Sequence, residues 1–141
     1  MEANELRIGN LINYQSYKTI KRGVVTSISK TKTTINHSRA IKLISEELLP
    51  IPLTEEWLLK FEFEQEGATP DSLYEDYKLI CSQLEIEISF HDNGDSYDVY
   101  IKNGHQDKHQ IIHVKYVHSL QNLYHALTGE ELIIKKEKDG N

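Results

Sequence analysis

The sequence predicts an α+β protein: a small SH3-like β-barrel at the N-terminus, then an antiparallel β-meander with two or three helices. Three observations predict it. Several short β-branched runs crowd into residues 1–44. Leu84-Glu-Ile-Glu-Ile-Ser-Phe90 alternates apolar and polar side chains, the pattern of a half-buried strand. Val117, Leu120, Tyr124 and Leu127 recur at helical spacing. On this reading residues 1–50 form the barrel-like segment, 51–134 the α+β segment and 135–141 a charged, disordered tail.

The elements follow in order. Glu5 to Tyr14 is extended, broken by a turn or bulge at Gly9. Gly23 to Ile28 is a β-branched strand, Ser29 to Thr34 a polar loop tip, and Thr33 to Asn36 and Ala40 to Ile44 further short strands. Pro50 and Pro52 stiffen a connector, because each holds its predecessor extended. Thr54 then caps a helix to about Phe63, with Glu55 and Glu56 against the positive end of its dipole and Trp57, Leu58 and Phe61 as its apolar stripe. Gln65 to Pro70 is a loop. Ser72 and Glu75 have capping-box spacing, and Leu73, Tyr77, Ile80 and Leu84 support a helix from about Asp71 to Gln83, although Tyr77 to Ile80 also suits extended backbone. After Phe90, Asn93-Gly94 marks a tight turn. Tyr97 to Lys102 returns, Asn103-Gly104 turns again, and Gln110 to Lys115 completes the meander. Tyr116 to Leu127 is an amphipathic helix closed by Gly129, with Leu132 to Ile134 as a last short strand. Trp57, Phe61, Leu120, Tyr124 and Leu127 are the expected core anchors.

The composition narrows the function classes. The chain has 141 residues, 38% hydrophobic and 27% charged. No apolar run approaches the roughly 20 residues that cross a bilayer, and the first residues lack a secretory pattern. One cysteine, Cys81, excludes an intramolecular disulfide and any CxxC site. The net charge of −6 argues against a general nucleic-acid binder, but it is unevenly spread. Residues 1–44 hold eight basic and two acidic side chains, a net +6; the remainder holds 8 basic and 20 acidic, a net −12. A basic binding face beside an acidic body has this signature. So have two segments that attract one another, and lysines placed on loops and edge strands for solubility.

Spacing constrains what the chemistry-bearing residues can do. Six of seven histidines lie between His91 and His125. His109 and His113 share one face of the predicted strand but stand roughly 13 Å apart. His118 and His125 share a helix face about 10.5 Å apart. Zinc needs each nitrogen within about 2.1 Å, so neither pair alone holds one ion. His105, Asp107 and His109 lie near one loop without a specific metal pattern. Asp92, Asn93 and Asp95 offer oxygens, but Gly94 falls at the wrong position for an EF-hand loop. Glu85 and Glu87 are about 7 Å apart on one strand face, a glycosidase-like separation that outward acids on any amphipathic strand also show. There is no P-loop, dinucleotide fingerprint, nucleophile elbow or zincin motif. Neither a cofactor nor a metal is expected. A nucleic-acid interface would use Lys18, Lys21, Arg22, Lys30 and Lys32, with Tyr14 and Tyr17 interleaved as stacking platforms.

Three blocks, ELRIGNL (5–11), PIPLTEEWLLKF (50–61) and IHVKYVHSLQNLYHALTGEEL (112–132), resemble a family of short uncharacterised proteins of phages and prophages of gut Bacteroides. Family members often carry glycine where this chain has Glu62, between Phe61 and Phe63. The resemblance implies a phage-derived protein of the bacterial host cytoplasm. It offers no catalytic residues, and its blocks look like packing elements. The expectation is therefore a non-enzymatic accessory protein that binds another macromolecule, a protein sooner than a nucleic acid, and no membrane. A nucleic-acid-binding module is the alternative, and a metal-dependent hydrolase built on the histidine-rich segment the weaker one.

Overall fold

The computed structural model describes residues 5–30, 32–36, 42–43, 47–66, 74–81, 84–91 and 96–134. In chain order the elements are β1 (Leu11–Ser16), β2 (Thr19–Ile28), β3 (Thr33–Ile35), β4 (Lys42–Leu43), β5 (Leu48–Leu49), α1 (Glu55–Lys60), β6 (Glu64–Glu66), β7 (Tyr74–Cys81), β8 (Leu84–His91), β9 (Tyr97–Asn103), β10 (His109–Val114) and α2 (Val117–Thr128). The α+β class is as predicted. The chain divides into two compact units, Met1–Pro52 with Tyr116–Glu131, and Leu53–Lys115 with Leu132–Asn141. No helix among the described residues is long and apolar enough to cross a membrane.

The first unit holds an antiparallel sheet of order β4-β3-β2-β1-β5 and helix α2. Alternation along β1 buries Ile12 and Tyr14, which pack with Leu6, Val25, Ile35 and Leu48. Gly23 faces Ile12 across the hairpin, and its missing side chain makes room for Ile35: a Cβ there would lie 2.2 Å from Ile35 Cγ2. The turn expected at Gly9 is present. Asn10 N–H donates to Arg7 C=O, and Gly9 has φ +101°. The short strands are real, but no closed barrel is found among the described residues. The sheet runs open from β4 to β5, two-residue strands that pair inward with β3 and β1. Barrel closure requires the two edges to pair.

Helix α2 buries Val117, Leu120 and Tyr124, while Leu127 is only partly buried. Gly129 closes it in the left-handed conformation, as the sequence predicted. Two adjacent polar residues of α2, the buried Gln121 and the partly buried Asn122, explain how the N-terminal segment docks. Gln121 Oε1 accepts from Leu11 N–H at 2.8 Å, and Asn122 receives the Asn10 amide at 2.9 Å and donates to Glu5 C=O at 2.9 Å. Arg7 grips the Glu131 carboxylate, with Nη2 to Oε2 at 2.9 Å. That guanidinium holds the Glu131 carboxyl below its ordinary value.

The second unit holds an antiparallel meander of order β10-β9-β8-β7-β6 together with α1. Trp57, Leu58, Phe61 and Phe63 are buried, as are Tyr77, Ile86, Ile88, Val99 and Val114. Thr54 caps α1 by accepting from Trp57 N–H. The helix ends earlier than predicted, in a Schellman motif: Phe63 N–H donates to Leu58 C=O and Glu62 N–H to Leu59 C=O. Glu62 sits at φ +68°, a position that favours glycine.

Three expectations are corrected. The predicted helix over 71–83 is strand β7 throughout its described part, Tyr74–Cys81, which pairs with β8 along its full length. Tyr77 faces the core while Asp76 and Lys78 face the polar side, so period 2 prevails over the helical spacing. Leu132 to Ile134 forms no strand. The 65–70 loop begins instead with strand β6, an all-exposed edge. The Asn93-Gly94 turn, the oxygen ligands of that loop and the 135–141 tail lie outside the described residues.

Candidate functional site

Among the described residues, the β1–β2 hairpin pairs with other strands near its base. β5 pairs with β1 at Asn13 and Tyr14, and β3 pairs with β2 from Val25 onward. Among the described residues, Thr19 to Arg22 pair with β1 alone. Every residue from Tyr17 to Arg22 is exposed. The two-residue turn places Tyr17 at φ +54°, where bulky residues are uncommon, and its side chain is 100% exposed. Nothing packs on the ring to offset a left-handed backbone that costs roughly 1–2 kcal/mol. Ile20 is 61% exposed two steps along β2. Lys18 lies in the turn, Lys21 opposite Tyr14 and Arg22 opposite Asn13. Gln15 to Gly23 thus carry three cations and no acid.

The predicted basic set is brought together only in part. Lys30 and Lys32 belong to the β2–β3 turn, which Ser29 closes by donating its N–H to Lys32 C=O at 2.9 Å. Seven strand steps separate Lys21 from Ile28, roughly 23 Å, so these two lysines stand at the opposite end of β2. Tyr14 is not a surface platform at all. It is 5% exposed and belongs to the core.

The other candidates have structural explanations. A bulge at Ile111 shifts the β10 register, with His109 opposite Ile101 and His113 opposite Asp98. The two histidines therefore emerge on opposite faces, where an unbroken strand would place them together. His113 pairs with Asp98. His118 is buried against Tyr116, with Nδ1 lacking a hydrogen-bond partner among the described residues and Nε2 3.7 Å from Glu5. Burial pushes its pKa down, against the opposing pull of Glu5. Among the described residues, no group of three or more His, Cys, Asp or Glu side chains is placed to hold a metal.

Glu85 and Glu87 each hold a lysine, Lys78 at 3.0 Å and Lys108 at 2.8 Å. Glu66 and then Glu85 raise the Lys78 ammonium pKa, and Glu87 raises that of Lys108. One cross-strand row had no sequence signal beyond alternation: Asp76, Ser89, Asp98 and His113 lie side by side over β7 to β10. Ser89 Oγ donates to Asp76 at 2.6 Å. His113 stands two strands from Ser89, about 10 Å away, beyond the reach of a nucleophile and its base.

No family model, no curated protein and no solved structure matches this chain.

Proposed function

We propose that this protein is a non-enzymatic phage or prophage accessory protein, a macromolecular-interaction module whose contact surface is the free end of the β1–β2 hairpin. The observation that carries this reading is Tyr17. A large aromatic occupies a turn position where glycine or asparagine is cheaper, and it buries nothing within the chain. Local strain kept at an exposed aromatic is the pattern of a binding residue retained against stability. Ile20 adds apolar area beside it, and Lys18, Lys21 and Arg22 add charge. Aromatic and basic side chains together are the composition of interface anchors. The phage origin rests on the three sequence blocks alone.

A photo-reactive benzoylphenylalanine at position 17, expressed in the host, tests the reading. A discrete adduct from position 17, absent from position 80, which is also exposed, and lost in a K18E/K21E background, is expected. Equal adducts from both positions would reject the hairpin as the contact surface. The nucleic-acid reading is the second one. It is favoured by the grouping of Lys18, Lys21 and Arg22, while Lys30 and Lys32 lie too far away to share one contact.

A further inference from the structure

We infer that the hairpin tip binds single-stranded nucleic acid, stacking a base on Tyr17 while Lys18 and Lys21 meet backbone phosphates; this rests on the interaction reading above and names its partner. The first ground is how the tip is built. Its backbone is fixed by its own side chains: Gln15 Nε2 donates to Tyr17 C=O at 2.9 Å and Thr19 Oγ1 to Ser16 C=O at 3.0 Å. The ring carried by this turn is 100% exposed, so both of its faces are open. A fixed turn presenting an open ring is a stacking platform, because every base offers a π-face and the turn loses little freedom on binding. Lys18 follows the ring in sequence, and Lys21 lies three steps, roughly 10 Å, farther along β2. Both are exposed and form no ion pair among the described residues. Arg22 already interacts within the chain and takes no part, and Asn13 and Tyr14 stay in the sheet with β5.

Size supplies the second ground. A standard protein interface takes about 800 Å² from each partner, with its anchors ringed by contacts that exclude water. The tip is the end of a two-stranded ribbon whose strands lie about 5 Å apart, and Ile20 is the one other large apolar side chain exposed on it. So small an end cannot furnish that area. A nucleic-acid strand binds instead through discrete units, a base on a ring and a phosphate on an ammonium, and the tip offers these units. The base must be unpaired. In a duplex each base face is covered by its neighbours in the stack, and a ring has to force them apart. The geometry therefore predicts preference for a strand over a duplex.

Fluorescence anisotropy on the full chain tests the inference with three labelled probes: an oligothymidylate of about 12 nucleotides, an abasic strand of the same length, and the oligothymidylate paired with its complement. At low salt the oligothymidylate is expected to bind about fivefold or more tighter than either other probe. Its log K against log salt slopes about −1.4 for two phosphates neutralised. Tyr17→Ala, which removes no charge, loses the preference for bases, and Tyr17→Trp, which keeps a stacking face, retains it. K18E/K21E weakens binding of both single strands about tenfold, and K30E/K32E changes it less than about twofold. Unchanged circular dichroism spectra establish that the variants fold. Equal affinity for the oligothymidylate and either other probe, a preference that survives Tyr17→Ala, or indifference to K18E/K21E overturns the stacked base. Absence of binding to every probe, together with a Lys18-dependent protein adduct from position 17, overturns it and leaves the interaction reading standing. Absence of both overturns both.

Discussion

The two sheets treat their exposed charges differently. In the second unit the polar face is laddered. Lys78 bridges Glu66 and Glu85, Lys108 meets Glu87 and lies over Tyr100, and His113 meets Asp98. Each of these charges has a partner across the same sheet, and these pairs are accounted for as sheet stabilisation. In the first unit Lys18 and Lys21 form no ion pair among the described residues, and the aromatic between the strands touches nothing. On the proposed function, these two lysines and the exposed, left-handed Tyr17 make the hairpin the contact surface. The histidine-rich meander, richer in reactive groups by composition, sets its charges in pairs across the sheet.

The comparison breaks or sharpens at defined positions. The largest contrast is between two tyrosines three residues apart. Tyr14→Ala opens a cavity in the first core and costs about 3–5 kcal/mol, whereas Tyr17→Ala stays within about 0.5 kcal/mol, both read from urea midpoints. Comparable losses at both positions would mean that Tyr17 packs after all. Gly23→Ala forces Ile35 aside and costs about 1–3 kcal/mol by the same measurement; no effect there would show that β3 does not lie over the hairpin base.

Two left-handed positions give smaller effects of opposite meaning. Tyr17→Gly and Glu62→Gly each stabilise by about 1 kcal/mol, since each removes a side chain from αL backbone. Only the Tyr17 change abolishes partner binding. A Glu62→Gly variant that also lost binding would break the distinction between strain kept for function and strain merely tolerated.

The smallest effects are in pH. His118 is held below the usual 6.5 by burial, so the unfolded chain binds its proton more readily and stability falls as pH drops below about 6.5. Glu131, held below 4.5 by Arg7, adds a second loss below that value. Lys78 and Lys108 are raised above 10.5 by their carboxylate partners, and their contribution is lost as pH climbs beyond it. Amide probes followed by NMR should therefore show acid loosening the first unit and alkali the second, and His118→Phe should flatten the near-neutral step. The reverse order would contradict these assignments.

Much of this was legible in the sequence where one period acts alone. Leu84 to Phe90 and the α2 stripe are strand and helix as read. The Thr54 cap, Gly9, Gly129 and the core role of Trp57 hold for local reasons. Legibility failed where a partner strand decides. β7 carries apolar residues at helical spacing, yet pairing with β8 selects period 2 and leaves Ile80 exposed. One bulge residue, Ile111, reverses the faces of His109 and His113. Tyr14 was grouped with Tyr17 by proximity, although alternation from Ile12 already assigns it to the core. The expected patch of four lysines and one arginine separates because a ten-residue strand carries its ends apart.

An amide-resolved NMR titration with a single-stranded oligothymidylate tests the hairpin most directly. Shifts confined to Ser16–Arg22 at low salt, reversed by added salt, are the predicted outcome. Shifts centred on β7 to β10 with the hairpin silent would contradict it.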